Sequence, residues 1–336
     1  MIPARNHFRV RSDDSQCTTF LRSLLRNCVD QHELHVSTGV ALKAEKPLLP
    51  HFTVEVVSSE RIRLCEGLGR HDDYLSLSHR WNARETPPLR TTTANVHLHR
   101  LDIPWAGLSN TFRDAVKLTQ LLGFRHLWID SLCILQDDVE DWSREYEQMY
   151  NVYGNTMLSV FATSPEGLFF ARKNSRGQEP QYRTYQVPDE SGHLYDVHAT
   201  IGDAEHNEAN SYCLVPRSEL FTRGWVYQEW LMCQRAVVFD EQELLWSCDH
   251  CNLCECSGTG SRKYRSIGFM NRSEYRENLR QREQSPSLWR TVVRQYASLE
   301  LTFDADRLPA LSGLAKQFRS DFETQYAAGC WKDGIV

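Results

Sequence analysis

The sequence predicts an α/β protein: a mostly parallel sheet with helices on both faces, a β-containing insertion and a helical C-terminal tail. Three observations carry this expectation. Short apolar runs alternate with helical periodicity through the centre of the chain, the pattern of a sheet with covering helices. One run, Leu127-Trp128-Ile129, ends on Asp130 and Ser131. A buried parallel strand reads this way when it delivers polar groups to its carboxyl end, where open α/β sheets bind ligands. Finally, from about residue 166 to 217 the texture turns polar, with Gly, Pro and short β-like pieces, as an insertion beside a sheet would.

Each element has its own signal. In Cys17 to Val29, the residues Phe20, Leu21, Leu24, Leu25 and Cys28 recur at helical spacing, so this segment is expected to pack against the sheet. Strand-like runs follow at Thr53–Val57, Arg61–Cys65 and Tyr74–Ser78. Asn110 or Thr111 can cap a helix with Phe112, Ala115, Val116, Thr119 and Leu122 on its apolar face, and Gly123 stops it. A helix from about Val139 to Tyr153 presents Trp142, Tyr146, Met149, Tyr150 and Tyr153, with Gly154 beyond its end. Met157–Ala162 reads as the next strand. Tyr182–Val187 and Leu194–Thr200 are the β-like pieces of the insertion. A helix near Gly224–Cys233 and strands at Arg235–Phe239 and Leu244–Cys248 resume the alternation. A charged stretch expected to be mobile runs from Cys256 to about Ser287, and the tail from Leu288 looks helical. The expected division is an extension at 1–60, a main domain at 61–256 with its insertion at about 166–217, and a C-terminal segment at 257–336.

Composition narrows the function classes. With 336 residues, 41% hydrophobic content and nine Trp, the chain can bury a large core and is not mainly disordered. A net charge of −6 lacks the basic footprint of a nucleic-acid binder. No run reaches the apolar length of a membrane span, and Met1 to His7 opens no signal peptide, so a cytoplasmic protein is expected. Eleven Cys in such a chain are read as reduced thiols rather than a disulfide framework.

Strand ends on one edge of a sheet are neighbours in space. His79 and Arg80 after the first central strand, Asp130 and Ser131 after the second, and Glu229 on the later helix should therefore converge. Arg80 and Asp130 could equally be an ion pair holding two loops together. The acids Asp137, Asp138, Glu140 and Asp141 are read as a helix start, where carboxylates complement exposed N–H groups, in preference to a cation site. Cys248, Cys251, Cys254 and Cys256, with His250 among them, have zinc-like spacing. A structural zinc site usually draws ligand pairs from separate segments, however, so reduced thiols or a labile disulfide are preferred and no metal is expected. No dinucleotide fingerprint or Gly-rich phosphate cradle is present, which argues against a tightly bound cofactor.

Three blocks together resemble the fungal heterokaryon-incompatibility (HET) domain: Tyr74 to Trp81, Leu122 to Asp138 continuing through Asp141-Trp142, and Arg223 to Glu229. The resemblance covers roughly residues 61–250. Tyr326 to Asp333 is similar to the sequence that follows the domain in longer members, and Asn82 departs from the Gly usual after the Trp. HET domains are distantly similar to flavodoxin-like TIR domains. In that comparison Trp225 to Trp230 looks like the segment in which some TIR domains keep a glutamate for NAD glycohydrolysis. The resemblance implies an incompatibility or cell-death effector that cleaves, or at least binds, a nicotinamide nucleotide. Glu229, Asp130 and His79 would be the catalytic candidates. Arg80 would meet a phosphate, Trp81 or Trp225 would stack on a ring, and Ser131 would orient the loop. NAD would be a substrate, and homo-oligomers or other death-effector proteins would be the partners. Two rivals stand beside it: a non-enzymatic assembly module, and an enzyme recruited to secondary metabolism that acts on a small organic substrate.

Overall fold

Six strands are buried along their whole length, and such strands need cover on both faces. The computed structural model describes residues 15–31, 46–80, 89–170, 182–188, 191–200, 218–241, 244–255, 272–319 and 325–332. In chain order the helices are α1 (Ser15–Gln31), α2 (Val96–His99), α3 (Asn110–Leu122), α4 (Asp130–Cys133), α5 (Val139–Asn155), α6 (Gly224–Met232), α7 (Arg272–Arg280), α8 (Ser285–Ala297) and α9 (Arg307–Phe318). The strands are β1 (Phe52–Val56), β2 (Ile62–Glu66), β3 (Tyr74–Ser78), β4 (His126–Trp128), β5 (Leu158–Ala162), β6 (Tyr182–Pro188), β7 (Leu194–Thr200), β8 (Arg235–Phe239), β9 (Leu244–Cys248), β10 (Asn252–Cys254), β11 (Tyr326–Ala327) and β12 (Cys330–Trp331).

Eight strands form one sheet in the order β10-β9-β8-β5-β3-β4-β1-β2. Its centre, β8-β5-β3-β4, is parallel, with Ser76 opposite Ser159 and Leu75 opposite Leu127. Antiparallel hairpins β1–β2 and β9–β10 complete the two sides. Taken in chain order, the four parallel strands lie 2-1-3-4, the flavodoxin-like winding, and the order reverses between β3 and β5. Right-handed crossovers put α3 on one face and α5 and α6 on the other. Side chains agree: the Tyr74 hydroxyl reaches Val152 O in α5 at 2.6 Å, while the ring of His79 meets Phe112 of α3 edge-on. Helix α9 packs over α5 and α6, and α1 lies against α3. The insertion contributes a separate two-stranded antiparallel ribbon, β6–β7. No helix among the described residues is long and apolar enough to cross a membrane.

Local chemistry explains the boundaries. Ser109, one residue before Asn110 and two before Thr111, the expected caps, starts α3 by accepting the Phe112 N–H. Gly123 ends α3 at φ 87°, a left-handed conformation that a Cβ disfavours. Asp138 caps α5 through the N–H groups of Glu140 and Asp141, so the acids do mark a helix start. Gly154 lies inside α5, which runs on to Asn155. The buried face of α5 also differs from the aromatic row expected. It carries Asp141, Glu145, Met149, Val152 and Tyr153, and the two acids meet Arg144. Within the stretch expected to be mobile, residues 272–280 form α7. Its Arg272 and Arg276 are buried against Asp249, and Tyr275 is buried with them. Residues 256–271 of that stretch lie outside the described residues.

Two glycine substitutions should separate in sign. Gly123→Ala forces a Cβ into the left-handed region and should cost about 1 kcal/mol. Gly154→Ala places a methyl in open space on a helix and should stabilise by about 0.5 kcal/mol. Urea titration of both variants checks the pair, and equal shifts would contradict the assigned helix ends.

Candidate active site at the carboxyl edge

Open α/β sheets bind their ligands beside the carboxyl ends of the strands where the order reverses, which here is between β3 and β5. Strand β3 brings Ser78, His79 and Arg80 to this edge. Ser78 and His79 are buried and Arg80 is exposed. The imidazole Nδ1 of His79 lies 3.9 Å from Asp130 Oδ1, and its Nε2 has no hydrogen-bond partner. Burial lowers the His79 pKa below the ordinary histidine value. Asp130 opposes that shift and Arg223 adds to it, so the ring is neutral near pH 7.

Strand β4 delivers Asp130 and Ser131 into the short helix α4. Asp130 Oδ1 accepts the Ser131 N–H at 2.7 Å, while the buried Ser131 hydroxyl makes no hydrogen bond. Thr91 holds this turn from outside: its N–H donates to Ser131 O, and its hydroxyl donates to Leu132 O.

Helix α6 enters from the same edge. Arg223, immediately before it, donates from Nη1 to His79 O at 2.9 Å, tying the helix start to the end of β3. Glu229 follows on α6, 7% exposed. Burial raises its carboxyl from the ordinary 4.5 to about 7. The Ser78 hydroxyl, Arg223 and the Tyr153 hydroxyl offset part of that rise, and Asp130 adds to it. Ser78 stands close enough to favour the charged carboxylate without full hydrogen-bond geometry, and Glu229 Oε2 is unpartnered. Tyr153 in turn has its phenol pKa raised well above the usual value, by burial first and by Glu229 next.

Residues 74–229 match the family model described as heterokaryon incompatibility protein (HET). The chain carries a HET domain. No curated protein and no solved structure matches the chain significantly. The HET match begins at the first residue of β3 and ends on Glu229, so the groups just described fall within it. The family description links the domain to heterokaryon incompatibility.

Within the HET domain the expected residues divide. His79, Asp130, Ser131 and Glu229 gather around the ends of β3 and β4. Arg80 is ion-paired with Glu219 and not with Asp130. Trp225 donates its indole N–H to Asp306 at 3.1 Å, toward the C-terminal helices. Trp81 and Asn82 lie outside the described residues. Three neighbours of Glu229 carried no site signal in the sequence. Ser78 was one polar letter in a strand, Tyr153 one aromatic on a helical face, and Arg223 the opening residue of a sequence block with no role of its own.

Two other clusters could hold a metal. His51 Nδ1 lies 3.7 Å from Asp141 Oδ1 and 3.4 Å from Glu145 Oε1, and the three donor atoms fall within 4.8 Å of one another. Arg144 already bonds all three residues there and offsets part of the charge of the two acids. Among the zinc candidates, Cys248 Sγ is 3.5 Å from Cys251 Sγ. Cys254 stands in β10 opposite Leu245, and Cys256 lies outside the described residues.

The raised carboxyl of Glu229 has a consequence for stability. A carboxyl with a higher pKa in the folded state favours folding at low pH, and that contribution is lost as pH rises from about 4.5 through about 7. Glu229→Gln has no such titration. The melting-temperature advantage of the variant over the native protein should therefore grow across this window, reflecting on the order of 3 kcal/mol, and then level off. Thermal melts across the pH range test this. A difference that stays flat would mean that Glu229 is not buried as described.

Proposed function

We propose that the chain is an incompatibility or cell-death effector whose HET domain binds a nicotinamide nucleotide and hydrolyses its N-glycosidic bond. One observation carries the proposal: Glu229 is a buried carboxyl that titrates near pH 7 and keeps one oxygen unpartnered at the strand ends. The HET match and the likeness of Trp225 to Trp230 to a TIR glutamate segment support it.

The chemistry asks little of the protein. As the bond to nicotinamide breaks, positive charge develops on the ribose, and the ionised Glu229 stabilises it. The pyridinium ring takes the bonding electrons and leaves as neutral nicotinamide. Water adds to the sugar carbon, and the neutral imidazole of His79 can accept its proton on Nε2, with Asp130 steadying the resulting cation. Exchange of Arg80 from Glu219 to a substrate phosphate would supply the anion contact.

The assembly-module reading draws on a specific observation as well. Arg80 and Trp225, the expected phosphate and ring contacts, are both engaged by other side chains. Incubation of the purified chain with NAD, with chromatographic detection of nicotinamide and ADP-ribose, separates the two. Hydrolysis is expected, with kcat/KM rising as pH climbs through about 7 because the carboxylate is the active form. Glu229→Gln should cut turnover by roughly 100-fold or more while leaving the fold intact. Binding without turnover would favour the module. Full activity in the Gln variant would remove Glu229 from the mechanism.

A further inference from the structure

A second chemical centre lies away from the HET-domain edge, where β9 turns into β10. Ser247 pairs with Asn252, and the Cys248 N–H donates to Cys251 O at 2.9 Å. Cys248 and Cys251 thus stand opposite one another across the two-residue turn Asp249-His250. Residues in a hydrogen-bonded antiparallel pair share a face, with Cα atoms about 5.5 Å apart. That separation lies in the middle of the range a disulfide spans. The two sulfurs are already 3.5 Å apart.

The third member comes from the other end of the chain. Cys28, buried on α1, hydrogen-bonds to Cys248. Cys248 is therefore a sulfur between two thiols, and it also receives hydrogen bonds from the backbone at His250 and Cys251. These contacts stabilise a thiolate at Cys248 and lower its pKa against the opposing effect of burial, while Cys28 and Cys251 keep their protons. Cys248 is fully buried, but Cys251 is only half-buried, which gives a small oxidant a way in. Cys133 and Cys233 make a useful contrast. Both are buried with pKa values pushed up by desolvation, the signature of inert thiols.

We propose that Cys248 and Cys251 are a redox-active pair that closes to a disulfide on reaction with a hydroperoxide, with Cys28 as the hydrogen-bond donor that keeps Cys248 nucleophilic. In the first step the Cys248 thiolate attacks the outer peroxide oxygen. The O–O bond breaks, the alcohol leaves with a proton from solvent, and Cys248 becomes a sulfenic acid. In the second step the Cys251 sulfur attacks the sulfenic sulfur. The S–O bond breaks, and water leaves with the Cys251 proton. Two thiols are oxidised by two electrons, and the peroxide is reduced to alcohol and water.

The test uses the full chain carrying Cys330→Ser, which removes an exposed thiol able to link two molecules. The protein is treated with stoichiometric hydrogen peroxide, alkylated while unfolding and mapped by mass spectrometry. Cys248 and Cys251 are expected to be protected until dithiothreitol is added, with Cys28 alkylated throughout. Cys251→Ser should leave a sulfenic acid at Cys248 that dimedone captures. Cys28→Ala, which removes the donor that a serine would keep, should slow disulfide closure by about tenfold, the weight of one hydrogen bond to a charged group. Thermal melts confirm that each variant is folded. Complete alkylation of Cys248 and Cys251 after peroxide would overturn the proposal. So would a Cys28–Cys248 disulfide as the main product, or stoichiometric zinc in the untreated protein.

Discussion

The site rests on one constraint: four parallel strands are covered on both faces, so the sheet interior has little place for polar side chains. One pair of exceptions inside is mutually satisfied: the hydroxyls of Ser76 and Ser159 meet at 2.8 Å. Polar groups that are to meet a ligand must stand where the strands stop. The winding order then decides which strand ends are neighbours, and it reverses between β3 and β5.

Glu229 shows how closely opposed the forces at this edge are. Desolvation disfavours its charge, and one half-formed contact with Ser78, a phenol and a nearby guanidinium do not fully compensate. Arg223 could have cancelled the effect by forming a direct pair. Its Nη1 instead holds the His79 carbonyl, so its influence on the carboxyl acts through space. The arrangement keeps the glutamate near the balance point between its two protonation states.

Much of the architecture was legible because it depends on periodicity. Mostly apolar runs marked β3, β5, β8 and β9 to within a residue, and Gly123 marked the end of α3 through the backbone angle it alone adopts easily. Helix α7 was not legible. Its buried positions include Arg272 and Arg276, and a guanidinium can be interior only when a distant Asp249 meets it, which no local pattern encodes. The same limit applied to Cys28, whose sulfur belongs with Cys248, far along the chain. At the site, Asp130 and Glu229 were visible as charges in apolar company. Ser78 and Tyr153 were not, because a serine in a strand and a tyrosine on a helix usually signify packing.

The start of α6 is stitched to the far C-terminal part of the chain. Arg223 and Glu300 form a parallel bridge, Gly224 N–H donates to Glu300 O, and Glu300 N–H donates to Thr222 O, each at 2.8 Å. Five of the eight sheet strands, β1, β2, β8, β9 and β10, also fall outside residues 74–229. The stretch that bears the family signature is thus not a self-sufficient folding unit. An excised fragment would lose both flanks of its sheet and the strap on the helix that carries Glu229, and the apolar faces of β4 and β5 would become open, aggregation-prone edges.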